Sequence, residues 1–511
     1  MNNNSILNSL KEENNIKLTE NFAVARKSTL NYVYDLFAFG ASYRKRSDED
    51  CILLFKKAIE EDPIMAIKCL FYIADIREGQ GERRFFRVCF KWLCNNYPEI
   101  AKRNLEYIPT YRRWDDLIYA AADTKLEDYM LFKIKEQLVL DLDCKTPSLL
   151  GKWLPSENAS SYETNKMGNK IRKYLKMTHK EYRKVLSTLR QKINIVERLM
   201  SENRWDEIEF DKIPSRAGLI YKNAFARRDL IQKKYKEFIK SEDTKVNTQA
   251  LYPYDVVHMA TKEFDSWGKA NDNFDAIERL AIEKYWNQLP NYCGDQECNM
   301  LCVCDTSGSM TCGSGPAKPI NVAIALSMYA AERAKGPFQG HYISFSSRPQ
   351  LIEIEGVDFV DKVARIYEKN LCENTNINAV FDMLRGMVTS GKARKEDLPK
   401  TIVILSDMQI DSGSGGYSYW DRSDSGIRWT KENAKTEMEK IRTQWEAQGL
   451  ELPKLVYWNI ESRSQTVLDC GPDVTLCSGA SPVLFEQIMQ GISGQQLMMN
   501  KLMSKRYECI K

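Results

Sequence analysis

The sequence predicts two architectures in one chain of 511 residues. These are an α-helical part over residues 18–290 and a doubly wound α/β domain over 295–511, with a polar tail at 1–17. Three observations carry the prediction. Before about residue 290, apolar residues recur every three or four positions, the period of an amphipathic helix. After 295, short apolar runs alternate with helical patterns, which implies a largely parallel sheet covered on both faces. Between them, the run Asn299-Met-Leu-Cys-Val-Cys-Asp305-Thr-Ser307-Gly-Ser309-Met310 ends an apolar strand in an aspartate followed by alternate serines. That places oxygen atoms at the carboxyl end of a strand, where α/β sheets bind ligands.

The helical part begins with Phe22, Val24, Leu30, Val33, Leu36 and Phe37, then Leu53, Leu54, Ala58 and Ile59. Asp62-Pro63 restarts a helix with proline in its first turn, carrying Met65, Ala66, Cys69, Leu70 and Ile73. Gly79-Gln-Gly81 breaks the pattern before Phe85, Val88, Cys89 and Trp92. Short helices with short turns predict stacked antiparallel pairs, although no strict repeat period is present. From 151 to 240, Lys and Arg are twice as numerous as Asp and Glu. Along 180–200, an apolar stripe (Tyr182, Leu186, Leu189, Ile193, Val196, Met200) leaves Lys180, Arg183, Lys184, Arg190 and Lys192 largely elsewhere. Such charges are a solvated face or a surface for a polyanion. Trp114 and Trp153 read as core anchors, because large aromatics usually bury.

In the α/β part, strands are expected at 341–345, 350–354, 401–405, 455–460 and 474–476, with helices at 318–335, 358–370, 377–390, 430–448 and 482–490. Residues 411–426 read either as a binding loop or as an insertion without such a role. The composition, 43% hydrophobic and 28% charged, is that of an ordinary globular chain, and a net charge of +4 says little about partners. No apolar run reaches membrane-span length and the amino terminus lacks a signal-peptide core, so a soluble cytoplasmic protein with no membrane partner is expected. The 14 cysteines are scattered, as reduced thiols are. Cys302 and Cys304 alternate with Leu301 and Val303 and read as small hydrophobes.

Asp305, Ser307 and Ser309 offer only hard oxygen donors, which suit Mg²⁺ or Mn²⁺. Thr375, just before a helix, and Asp407, at the end of the 401–405 strand, complete a set. These five residues resemble, in type and order, the metal-ion-dependent adhesion site of Rossmann-like von Willebrand factor A domains. The resemblance implies that the serines and threonine ligate the metal and that the aspartates hold it directly or through water. It also implies that an open coordination position grips an acidic side chain of a protein partner.

The two-part layout resembles the Ro autoantigen (TROVE) proteins, whose HEAT-like helical repeats close into an RNA-binding ring. It is more similar still to an uncharacterised family of the same layout. The motifs that carry this are Asp75-Ile-Arg77-Glu-Gly79-Gln-Gly81-Glu-Arg83-Arg84, Tyr111-Arg112-Arg113-Trp114-Asp115-Asp116, Lys152-Trp-Leu-Pro-Ser-Glu-Asn158, and the 182–190 segment. The resemblance implies a ribonucleoprotein that takes single-stranded ends or small structured RNA. Candidate phosphate contacts are then Arg77, Arg83, Arg84, Arg112, Arg113, Lys170, Arg172, Lys173, Arg183, Lys184 and Arg190.

No nucleophile elbow, Walker loop or Cys–His pairing is visible, and the three histidines are scattered, so no enzyme is expected. The expected function is a non-enzymatic RNA-binding protein with a Mg²⁺-dependent partner-binding domain. The alternative is a metal-dependent protein–protein scaffold without nucleic acid.

Overall fold

The structure is a computed structural model that describes residues 5–21, 23–193, 195–261, 274–295, 297–313, 315–345, 348–369, 375–410 and 436–511. The chain forms two compact units that do not follow its linear halves. The sheet unit comprises residues 1–47, 60–62 and 251–502, and the helical unit 48–59, 63–250 and 503–511. This differs from the expected boundaries near 290 and 295, and tertiary pairing is the reason. The segment 15–43 joins the sheet unit through a small antiparallel ladder, β1 (Ile16–Leu18) with β2 (Val24–Arg26), and a bridge from Arg26 to Val467. The tail expected at 1–17 is therefore partly ordered, with a helix at Ser5–Asn14 ahead of β1.

Among the described residues, the sheet unit holds six further strands: β3 (Met300–Asp305), β4 (His341–Phe345), β5 (Gln350–Glu353), β6 (Thr401–Ser406), β7 (Lys454–Asn459) and β8 (Val474–Ser478). Their order is β5-β4-β3-β6-β7-β8, with all neighbours parallel except β4 and β5. The two central strands, β3 and β6, are buried at every residue, Cys302 and Cys304 included. Continuous apolar runs rather than alternating ones are what a strand covered on both faces requires. Helix Pro319–Arg333 packs on β3, β4 and β6, and Pro253–Thr261 packs on that helix in turn. Among the described residues, Trp286, Trp445 and Trp458 are the largest fully buried side chains, each contributing on the order of 3 kcal/mol by leaving water. The expected strands and helices are present within a few residues, with Pro482–Leu484 forming a 3₁₀ turn ahead of helix Phe485–Met489. The expected binding loop at 411–426, and residues 430–435 of the expected 430–448 helix, lie outside the described residues.

In the helical unit, elements adjacent in sequence pack together, as stacked pairs do. Helix Pro63–Ala74 begins at the expected proline and meets Arg84–Asn96 through Phe71, Phe86 and Phe90. Gly79 lets the intervening turn close, since a Cβ there would stand 2.0 Å from the Tyr72 carbonyl oxygen. Residues 503–511 dock on this unit: Arg506 forks onto the fully buried Asp75 at 2.8 and 3.0 Å, and Tyr507 donates to the same carboxylate at 3.2 Å. The Asp75 motif is thus an internal anchor for the final residues.

Candidate functional site

From β3 the chain winds outward to β4 and β5, then returns to the other side of β3 at β6 and continues to β7 and β8. The crevice between β3 and β6, at their carboxyl ends, is the point where the winding reverses and where such sheets bind ligands. Asp305 ends β3 and Asp407 directly follows β6. Of the five oxygen-bearing residues singled out by sequence, Asp305, Ser307, Ser309 and Asp407 gather at this edge, and Thr375 joins them through the Gln409 backbone. Asp305 accepts from the Ser307 backbone N–H at 2.9 Å and from the Ser406 hydroxyl at 2.5 Å. The hydroxyls of Ser307 and Ser309 are 2.9 Å apart, and Ser309 hydrogen-bonds Asp407. Thr375 donates to the Gln409 carbonyl at 3.2 Å, and its neighbour Asn376 caps helix Ile377–Thr389.

Asp305, Ser307, Thr375 and Asp407 are buried, whereas Gly308 is exposed and Ser309 half-buried, so the edge opens toward solvent there. No atom lies within 4 Å of where a Gly308 side chain would begin. Its backbone is not left-handed, so this glycine leaves the approach open rather than enabling the turn. Met408, by contrast, is held at φ 64° while almost fully buried, a conformation that costs a non-glycine residue about 1 kcal/mol or more. That turn lets the Gln409 N–H reach back to Asp407 at 3.2 Å.

Burial and the neighbouring Asp407 carboxylate push the Asp305 carboxyl up to about 7, and burial raises Asp407 as well. Two like charges share a dry site, and among the described residues Arg463 brings a cation to it, its Nε standing 3.7 Å from Asp407. A divalent cation fits this set: the donors are hard oxygens, and its charge would offset the repulsion. Asp305, Ser307, Ser309, Thr375 and Asp407 would hold it. Among the described residues no three His, Cys, Asp or Glu side chains cluster.

Four participants escaped the sequence reading. Ser406 was readable beside Asp407, but Glu20, Asn21 and Arg463 carry no local signal. The turn between β1 and β2 braces the site. Asn21 donates to the Gln409 carbonyl at 2.8 Å and to the Thr375 hydroxyl at 3.4 Å, and the Glu20 N–H donates to the Gln409 side chain at 3.0 Å. The Glu20 carboxylate pairs with Arg463 at 3.1 Å.

The basic candidates divide by what they touch. Arg112 donates to the carbonyls of Ala74 and Gly81 at 3.0 and 3.1 Å and meets Asp116. Arg190 donates to the carbonyls of Gly151 and Leu154 at 3.0 and 3.1 Å. Gly151 permits this close approach, because a Cβ there would stand 2.5 Å from that of Leu189. Arg83 and Arg113 pair with Asp115 and Asp116, Arg84 with Asp48, Lys170 with Asp123 and Glu127, and Arg172 with Glu157. Arg77 is exposed and reaches the Thr110 carbonyl at 3.3 Å. Lys173, Arg183 and Lys184 are exposed on helices Tyr162–Tyr174 and His179–Ile193, and none of the three forms an ion pair with the described residues. Trp114 and Trp153 are not core anchors as expected. Both are half-buried and line a cavity of about 940 Å³.

Residues 19–119 and 144–293 match a family model described as a domain of unknown function (DUF2828), and residues 299–507 match another so described (DUF7788). The chain is 26% identical over 524 aligned residues to an uncharacterized protein of Acanthamoeba polyphaga mimivirus, spanning 93% of this chain and 85% of that protein. Among solved structures, the crystal structure of the Deinococcus radiodurans RO (RSR) protein is similar at a TM-score of 0.40 with 12% identity, covering 94% of this chain and 95% of that one.

Proposed function

We propose that this chain is a non-enzymatic RNA-binding protein whose sheet unit, acting as a von Willebrand factor A-like domain, captures a carboxylate-bearing protein partner through Mg²⁺ or Mn²⁺. The observation that carries the metal-dependent half is the convergence of Asp305, Ser307, Ser309, Thr375 and Asp407 at the β3–β6 crevice. Three hydroxyls and two carboxylates satisfy a hard cation and leave room for a partner's oxygen. Among the described residues, no side chain beside them is placed as a general base with a nucleophile, and the donor set suits binding.

The RNA half is supported by the exposed residues Lys173, Lys176, Lys180, Arg183 and Lys184, against which the same stretch sets one acid, Glu181. Glu181 accepts from the Thr178 backbone and hydroxyl, which keeps its carboxyl below the ordinary range. A surface of exposed ammonium and guanidinium groups, without an ion pair among the described residues, attracts a polyanion.

Calorimetric titration of the full chain with MgCl₂ and MnCl₂ tests the metal. Wild type binds one ion and Ser307→Ala weakens it; no heat with either salt removes the reading. Recovery of partners from extract with wild type and Asp305→Ala, with and without chelator, tests the capture, and identical partner sets would sink it. Gel shifts at several salt concentrations test the RNA half. Affinity falls by about 0.7 log units per phosphate contact for each log unit of salt on single strands. Reversing charge at Lys173, Arg183 and Lys184 flattens that slope. Wild-type affinity no better than millimolar at low salt leaves the metal-dependent scaffold without nucleic acid.

A further inference from the structure

In the helical unit, a cavity of about 580 Å³ lies against helix Trp114–Ala121, and its lining includes Arg87, Lys91, Tyr119, Lys152 and Trp153. That volume is within the usual range for a bound small organic group. Two aromatic rings line it, and each carries cations. Arg87 and Lys91 stand 4.6 and 5.8 Å from the centre of Tyr119, a ring that is 51% exposed. Arg113 and Lys152 stand 4.0 and 5.7 Å from the centre of Trp153.

The charges behind these rings do not balance. Arg83, Arg87, Arg112 and Arg113 all converge on the same two carboxylates, Asp115 and Asp116. Four guanidiniums on two aspartates leave a surplus of two positive charges in a partly dry place. Asp115 and Asp116 hold these groups in fixed orientation, and crowded like charges gain from an incoming anion. Of the other carboxylates lining the cavity, Asp123 is paired with Lys170 and Glu163 is exposed.

We infer that this cavity binds one nucleotide of single-stranded RNA, its base against Tyr119 and Trp153 and its phosphate on Lys91 and on the surplus charge that reaches the lining at Arg87, Lys152 being paired with Glu197 at 3.5 Å. Bases stack on aromatic rings and on guanidinium planes, while phosphates take the cationic groups, and here both kinds of surface line one cavity. The inference rests on the RNA reading of the helical unit and adds a base-recognising site distinct from the lysine-rich surface at 173–184.

The test titrates the full chain with a labelled oligouridylate, with the same oligomer made abasic, and with inorganic polyphosphate. Tyr119→Ala weakens oligouridylate binding by about tenfold, the effect of losing one base–aromatic stack. Tyr119→Phe restores it, and the abasic oligomer and polyphosphate do not respond to either change. Lys91→Glu weakens all three ligands. Because Tyr119 is exposed, an unchanged unfolding midpoint confirms that its variants fold. If all these variants bind oligouridylate as wild type does while reversal at Lys173, Arg183 and Lys184 abolishes binding, the cavity inference falls and the RNA reading stands. Polyphosphate binding as tightly as oligouridylate, with no effect of Tyr119→Ala, makes it a plain anion site and overturns the inference. No binding of any oligomer by wild type overturns both.

Discussion

The β3–β6 edge and the Asp115–Asp116 cluster are built from the same kinds of group with opposite surpluses. At the edge, Asp305 and Asp407 are buried together with one guanidinium, Arg463, at 3.7 Å, and burial plus mutual repulsion raises the Asp305 carboxyl to about 7. In the cluster, burial alone would raise Asp116, but Arg112, Arg83 and Arg87 outweigh it and hold the carboxyl below its ordinary value. A buried carboxylate is therefore either a source of strain or a keystone, according to how many cations the fold brings to it. The first arrangement gains from a cation, the second from an anion.

The largest way to break this contrast is Asp116→Asn. It removes the charge that Arg83, Arg87, Arg112 and Arg113 share and leaves them facing one another, at a cost of about 3–5 kcal/mol. Thermal or denaturant unfolding monitored at the helical unit reads this directly. Loss of less than about 1 kcal/mol would mean that the cluster is solvated and Asp116 is no keystone.

Metal is expected to act next most strongly. Saturating Mg²⁺, at about 100 times its dissociation constant, stabilises the sheet unit by about 2.7 kcal/mol. Asp305→Asn abolishes that gain. In chelator the same substitution is neutral or stabilises by about 1 kcal/mol, because it removes one of two repelling charges. A fall in metal-free stability as large as that of Asp116→Asn would show that the two carboxylates play the same part.

Acid separates the two regions by sign. Asp116 has a depressed carboxyl in the folded chain, so its contribution is fully present above the unfolded value, about 4, and is lost as pH falls through the lower folded value. Unfolding midpoints measured below about pH 4 therefore drop for wild type. The drop is shallower for Asp116→Asn, which lacks the titrating group.

The smallest effect sharpens the metal edge. Arg463 is a built-in competitor for Asp407, so Arg463→Gln tightens Mg²⁺ binding severalfold, on the order of 1 kcal/mol. Weaker binding in calorimetry would instead make Arg463 a support that orients Asp407.

Local pattern alone determined much of this molecule. The strands at 341–345 and 401–405 and the proline start of the Pro63 helix were legible, and the oxygen-bearing residues around Asp305 could be named, because strand and helix periods and a serine-flanked strand end are written in adjacent residues. Tertiary structure alone decided the rest. It recruited residues 15–43 to the sheet unit and 503–511 to the helical unit, placed Asn21 and Arg463 beside the metal-type edge, and left Trp153 half-buried beside a cavity. It also sorted the arginines: Arg112 and Arg190 serve backbone carbonyls, while Lys173 and Lys184 remain exposed without an ion pair among the described residues. A run of basic residues records how many charges there are. Which of them find a carboxylate or a carbonyl depends on segments distant in sequence, and a one-dimensional pattern holds no record of that pairing.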